Sequence, residues 1–285
     1  PYLRLLNPAG TQVATHFSST GNGSLSHTAN AEGIYLVIVT DGSASGALTG
    51  EYKLGMNSTQ QGFSYAALGD SFSSGEGLGT YTYSSGEAAD CHRSSIAYPT
   101  LLKLNDWPNP LSSSNGAHFN FLACSGATTM NMNPNGTGQY GEPPQLDADN
   151  AVDATRDLVT LTIGGNDAQF SLIATICYES LLTDCPSERP YLRLGDSRTL
   201  QQLGELWVNQ AVQSAQDIYT FIRGRAPNAF ILAGDYPLLF GTQPTCATSF
   251  TEPEREFVRN MQERLNEGLR QAAIASGINF VSVVD

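Results

Sequence analysis

Basic residues are scarce in this chain: 14 Lys and Arg stand against 27 Asp and Glu, a formal net charge of −13 over 285 residues. A surface of that sign repels phosphate backbones, so nucleic acid is not an expected partner, and it disfavours anionic membranes as well. No apolar run approaches the roughly 18 residues of a membrane-crossing helix, and no signal sequence opens the chain. No two cysteines have the close spacing of a structural zinc site, so no metal is expected. The Gly-x-Ser-x-Gly elbow is also missing, which argues against the α/β-hydrolase form of serine catalysis. Cofactor signatures fail on inspection. Gly136-Thr-Gly-Gln-Tyr-Gly141 spells a dinucleotide fingerprint, but no strand precedes it and Glu142-Pro143-Pro144 follows where a helix should start. Asp147, Asp149, Asp153 and Asp157 lack the glycine and closing glutamate of a calcium loop. No cofactor is expected.

What is present centres on Tyr65-Ala-Ala-Leu-Gly-Asp-Ser-Phe-Ser-Ser-Gly-Glu-Gly77. The apolar run Tyr65 to Leu68 reads as a buried strand that stops at Gly69-Asp70-Ser71. Ligands bind at the carboxyl ends of parallel strands, so Ser71 stands where a nucleophile is useful. A second copy, Gly195-Asp196-Ser197, leads into an amphipathic stretch, and its Asp and Ser suit a helix N-terminus. Two further runs end like the first. Phe119 to Ala127 ends in small residues with Gly126 at its tip, and Leu158 to Asp167 ends in Gly164-Gly165-Asn166-Asp167. Acyl transfer builds negative charge on a former carbonyl oxygen, and prearranged donors stabilise it. The Ser71 N–H, the Gly126 N–H and the Asn166 side-chain amide would form a three-donor oxyanion hole.

In these residues the chain resembles the SGNH (GDSL-type) esterases and lipases. Three of the four signature blocks match in order, at Gly69-Asp70-Ser71, at Gly126 and at Gly164-Gly165-Asn166-Asp167. The stretches Leu68–Gly77, Cys91-His-Arg-Ser94 and Ala123-Cys-Ser-Gly-Ala127 look like the secreted, disulfide-containing lipases and esterases of actinomycete type. The resemblance covers about residues 64–285. It implies a secreted carboxylic-ester hydrolase with Ser71 as nucleophile. The fourth block, carrying the catalytic histidine, is not found. His16 and His27 lie in a separate first segment, His92 follows a cysteine in a polar loop, and His118 begins a strand. In the family the histidine follows the last strand, which Ile278–Asp285 resembles, so the base is expected beyond residue 285 with Asp285 a candidate to orient it.

Five cysteines add to this. Cys177 and Cys185 span a short polar loop that a disulfide closes easily. Cys91 and Cys124 flank the active-edge loops, and bridging them would pin the long loop after Ser71. Cys246 is left over, which suggests a partner outside this sequence. In the related lipases a cysteine follows the catalytic histidine, so the two expectations agree.

Helical spacing over Thr199–Arg225 and Thr251–Ala275 alternates with apolar runs at Ala229–Ala233 and Phe280–Val284. Thr251 and Glu254 make a capping-box pattern, with Pro253 in the first turn and Gly277 after the end. Such alternation implies an α/β domain, a three-layer flavodoxin-like parallel sheet of about five strands in order 2-1-3-4-5 with helices on both faces. Residues 1–57 differ. Short alternating runs at Tyr2–Leu6, Gly33–Val39 and Gly50–Leu54 read as a small, incomplete β-sandwich. The Asn7-Pro-Ala-Gly turn and the Gly33 and Gly50 segments are similar to the bacterial pre-peptidase C-terminal domain. Residues 58–63 read as a linker and 64–285 as the hydrolase domain, with the chain cut at both ends. The expected substrate is a small-molecule, lipid or acylated-carbohydrate ester, handled by a monomer. The competing class is a non-catalytic carbohydrate-binding or adhesion protein on a degenerate hydrolase scaffold. Labelling of Ser71 by a fluorophosphonate separates the two.

Overall fold

The structure, a computed structural model, describes residues 2–7, 9–19, 22–27, 35–40, 62–83, 85–104, 107, 109–114, 117–147, 152–180, 184–190, 196–241 and 250–284. The chain divides into two compact units, Pro1–Thr59 and Gln60–Asp285. In the first, β1 (Tyr2–Leu6), β2 (Gln12–Phe17) and β3 (Leu36–Thr40) form an antiparallel sheet in order β2-β1-β3. Strand β2 was not anticipated, because its Gln, Ala, Thr and His give little apolar alternation. The run expected at Gly50–Leu54 lies outside the described residues, as do Cys246, Gly195 and Asp285.

The second unit is built on five parallel strands: β4 (Phe63–Gly69), β5 (Ala117–Phe121), β6 (Leu158–Thr162), β7 (Phe230–Gly234) and β8 (Asn279–Val281). Their order, β5-β4-β6-β7-β8, is the flavodoxin-like 2-1-3-4-5. Side chains alternate between the faces of a strand, and β4 shows the division of the core. Ala66 and Leu68 join Val159, Leu161, Ile231 and Ala233 in one buried cluster, while Tyr65 and Ala67 join Trp107, Leu111 and Phe121 in another.

Six helices accompany the sheet in this unit among the described residues: α1 (Ser71–Ser74), α2 (Tyr98–Leu101), α3 (Thr129–Met132), α4 (Phe170–Glu179), α5 (Leu200–Arg225) and α6 (Glu252–Ala275). Helices α5 and α6 cover the face that carries Leu161 and Ile231, through Ala215, Ile222, Leu265 and Leu269. On the opposite face the side chains over β4 and β5 are covered by Trp107 and Leu111, whereas Phe230 on β7 and Val281 on β8 are exposed. Helix cover is therefore unequal on the two faces among the described residues.

Local sequence explains the helix ends. Thr251 and Glu254 close a reciprocal capping box at the start of α6, as the spacing predicts. Helix α5 corrects one expectation: its cap is Thr199, boxed with Gln202, rather than Asp196 or Ser197. Asp196 instead pairs with Arg198, and Ser197 is exposed. The buried stripe of α5 also runs through Gly204, Val208 and Ala211, leaving Leu206, Trp207 and Val212 only partly covered. Gly204 sits against Met261 of α6, where a Cβ would lie 3.4 Å from the sulfur, so close helix approach selects the small face. Strand β8 stops at Val281, short of the expected Val284, because the Val283 N–H donates to Asp235 Oδ1 (2.7 Å) and the Ser282 hydroxyl to Asp235 Oδ2 (2.8 Å).

Candidate active site

Three strand ends meet at one edge of the sheet. At the end of β4, Gly69 has φ +120°, and a Cβ there would lie 2.3 Å from the Thr162 carbonyl oxygen of β6, so only glycine fits. The buried Gln145 side chain serves Gly69 twice: Oε1 accepts from its N–H and Nε2 donates to its carbonyl, both at 2.8 Å. Asp70 then caps α1. Its carboxylate accepts from the Phe72 N–H (3.2 Å), the Thr162 hydroxyl (2.9 Å) and the Tyr236 hydroxyl. Asp70 is 1% exposed, so it anchors the turn from beneath. Ser71, next in sequence, stays partly exposed.

The loop after β5 turns at Cys124-Ser-Gly-Ala127. The Ala127 N–H donates to the Cys124 carbonyl (3.0 Å) and Gly126 has φ +78°, the pattern of a type II turn that glycine favours in third place. A disulfide joins Cys91 to Cys124, and the Ser125 N–H donates to the Cys91 carbonyl (3.0 Å). Behind it lies Arg93, 4% exposed, whose Nε donates to the Ala123 carbonyl (2.7 Å) and whose guanidinium pairs with Glu142. The Cys124 N–H reaches the Gly69 carbonyl (3.0 Å), which ties this loop to the nucleophile turn.

The loop after β6 completes the edge. The Gly165 N–H donates to the Tyr236 hydroxyl (3.0 Å), so Tyr236 bridges Asp70 to the Asn166 loop. Asn166 Nδ2 donates to the Ala127 carbonyl (2.8 Å). Asp167 turns away and accepts from the Thr129 N–H (3.1 Å) and hydroxyl (2.6 Å); burial still pushes its carboxyl up. Asp70, Ser71, Asn166, Phe170, Tyr236 and Leu239 line a cavity of about 360 Å³. The Ser71 N–H, first in its helix, and the Gly126 N–H have no acceptor among the described residues.

Burial pushes the Asp70 carboxyl up to about 6, against the hydrogen bonds from Tyr236, Thr162 and Phe72 that favour its charge. Its folded value thus exceeds the unfolded one. Between about pH 4 and pH 6 the native state holds the proton longer, and stability falls as pH rises through that window, by about 3 kcal/mol for a two-unit shift. Asp70→Asn, which cannot ionise, should flatten the fall. Melting temperatures of both proteins from pH 4 to 7 check this; parallel curves would contradict it.

The model of the GDSL-like Lipase/Acylhydrolase family matches residues 67–285. Lipase 1 of Streptomyces coelicolor is 33% identical over 242 residues, covering 85% of this chain and 77% of that protein. The chain belongs to the GDSL-like lipase/acylhydrolase family. Solved relatives agree with this. The crystal structure of phospholipase A1 from Streptomyces albidoflavus NA297 superposes with a TM-score of 0.55 at 28% identity, covering 77% of this chain and 78% of that one. That of the extracellular lipase from Streptomyces rimosus gives 0.54 at 27%, covering 78% and 80%. As a GDSL-family member of SGNH type, the protein is an ester hydrolase, and its substrates are small-molecule esters.

In this GDSL enzyme the structure brings Ser71 and Asn166 to one cavity and sets the Gly126 turn beside both. It brings neither histidine of the same unit there: His92 and His118 make no hydrogen bond to Ser71 among the described residues and do not line the cavity. His92 lies with Nδ1 2.6 Å from the Glu76 carboxylate and its ring stacked on Tyr81 at 4.5 Å. His118 pairs in register with Ser64 at the amino ends of β5 and β4, and His16 and His27 belong to the first unit. The second disulfide expected, Cys177–Cys185, links the end of α4 to the turn after it. Several site residues were not found by sequence reasoning: Gln145, Tyr236, and the Arg93–Glu142 pair. Each acts across more than 45 positions, and nothing local marks it.

Proposed function

We propose that Ser71 is the nucleophile of a secreted carboxylic-ester hydrolase. Its Oγ attacks the ester carbonyl carbon, the hydroxyl proton passes to a base, and the carbonyl oxygen becomes an oxyanion. The N–H groups of Ser71 and Gly126 and the second Asn166 Nδ2 hydrogen receive that charge. Collapse expels the alcohol, which takes the proton, and leaves an acyl-enzyme. Water then repeats the sequence and frees the acid.

The observation that carries this reading is that two backbone donors without acceptors among the described residues, and one half-engaged side-chain amide, lie at the same strand edge as a partly exposed serine. Turn N–H groups normally find partners, so an unengaged Gly126 donor beside the Ser71 edge supports a charge-receiving role. Phe170, Ala174 and Leu239 give the cavity an apolar wall, which supports an acyl group there and favours lipid or other acyl esters. Two disulfides support an extracellular setting, and we take the working unit as a monomer with the first 57 residues as an accessory β domain. The non-catalytic binding reading is not favoured by the family match.

The Ser71 hydroxyl has no hydrogen-bonded base among the described residues, which leads to a test. The 285-residue protein should hydrolyse activated esters feebly, and added imidazole should accelerate the reaction for the wild-type sequence but not for Ser71→Ala. Equal acceleration of both proteins would show that the imidazole acts in solution and would remove this support.

A further inference from the structure

Gln139 falls inside the glycine-rich stretch that reads as a false dinucleotide motif, and among the described residues its side chain makes one hydrogen bond. Its Nε2 donates to the Ser125 carbonyl at 2.7 Å. Its Oε1 is buried without a partner among the described residues, so the amide is held there by that single bond. The Gln139 backbone is itself fixed, exchanging hydrogen bonds with Glu142 at 3.0 and 2.9 Å, and Glu142 is clamped by buried Arg93. Reversing the amide would set its carbonyl against the Ser125 oxygen, so the donor must face the turn.

The Ser125–Gly126 peptide is the central peptide of the type II turn. Such a peptide can rotate to the type I form, in which the third residue returns to negative φ and the N–H reverses direction. The ends of the turn stay in place when this happens, because the Ala127 N–H still reaches the Cys124 carbonyl. Neither that bond nor the disulfide therefore decides which way the Gly126 N–H points. A donor on the Ser125 carbonyl does decide it, since carbonyl and N–H lie on opposite sides of a trans peptide. A second tether, from the Ser125 hydroxyl to Glu76 at 2.6 Å, holds the side chain but not the peptide plane.

We propose that Gln139 is a positioning residue that keeps the Gly126 N–H turned toward the reacting carbonyl, and so keeps the oxyanion hole formed before substrate arrives. This rests on the assignment of Gly126 as an oxyanion donor to Ser71. Losing a whole donor costs roughly 10²–10³ in kcat. Gln139→Ala lets the peptide populate both orientations, so it should lower kcat by about tenfold to a hundredfold with KM within about twofold. Gln139→Glu is nearly isosteric but its carboxylate repels the Ser125 carbonyl, so at pH 7 it should be at least as impaired. Its protonated acid can donate, so its activity relative to wild type should climb as pH is lowered toward the carboxyl pKa, about 4.3 or higher in this setting. A residue that only supports the fold would show neither the pure kcat loss nor the recovery at low pH.

The experiment measures kcat and KM for hydrolysis of a p-nitrophenyl ester by the active enzyme, its Gln139→Ala and Gln139→Glu variants, and Ser71→Ala, with melting temperatures to confirm folding. A kcat within threefold of wild type for Gln139→Ala, a loss confined to KM, or no recovery of Gln139→Glu at low pH overturns the proposal. If Ser71→Ala itself keeps hydrolysing the ester, the underlying assignment has failed instead.

Discussion

In the active enzyme, Ser71→Ala is expected to abolish ester hydrolysis, whereas Ser197→Ala should leave it nearly intact. The two serines sit in the same tripeptide, so the contrast isolates position from sequence. Ser71 follows β4 at the sheet edge and lines the cavity with Asn166. Ser197 is exposed, two residues before the Thr199 cap of α5, and contributes nothing to that edge. Removing the nucleophile of a serine protease costs roughly 10⁶-fold in kcat, and a loss of that order is expected here. Steady-state rates on an activated ester give the answer. Comparable losses from both substitutions would sink the assignment.

The next largest effect is expected at Asn166. Asn166→Ala should lower kcat by roughly 10²–10³-fold with little change in KM, the result of removing one oxyanion donor. One amide hydrogen already serves the Ala127 carbonyl, so the side chain is held in place and the other hydrogen is aimed without further ordering. The same bond gives Asn166 a second duty, joining the β6 loop to the Gly126 turn. Asn166→Asp keeps the volume but removes both donors, and should be impaired as severely as Asn166→Ala. A change mainly in KM would mean that Asn166 binds substrate rather than the transition state.

The parts of this site that sequence reveals are those where backbone geometry dictates residue type. Gly69 has no alternative, since any side chain would strike the Thr162 carbonyl, and Gly126 needs its positive φ. Both leave a visible signature, as do the apolar runs feeding them and the capping box of α6. The observed strand order is one of the few that alternating strands and helices allow. What stayed hidden is the polar scaffolding. Gln145 acts on Gly69 from 76 positions away, and Tyr236 reaches Asp70 across 166. A glutamine or tyrosine in a loop has no periodic signature, and its role exists only once the chain has brought distant segments together. Helix α4 was missed for a different reason. It runs directly on from the Gly-Gly-Asn-Asp turn, and among the described residues it has no side-chain cap at Gln169 to mark its start.

The most direct test of the account is where an acylating reagent ends up. The active enzyme should be incubated with a fluorophosphonate, digested, and its peptides analysed by mass spectrometry. One equivalent of adduct on Ser71, with Ser197 and Ser125 unmodified and the adduct lost in Ser71→Ala, is the predicted result. An active enzyme that carries the adduct on another serine, or that hydrolyses esters at full rate without labelling at all, would contradict it.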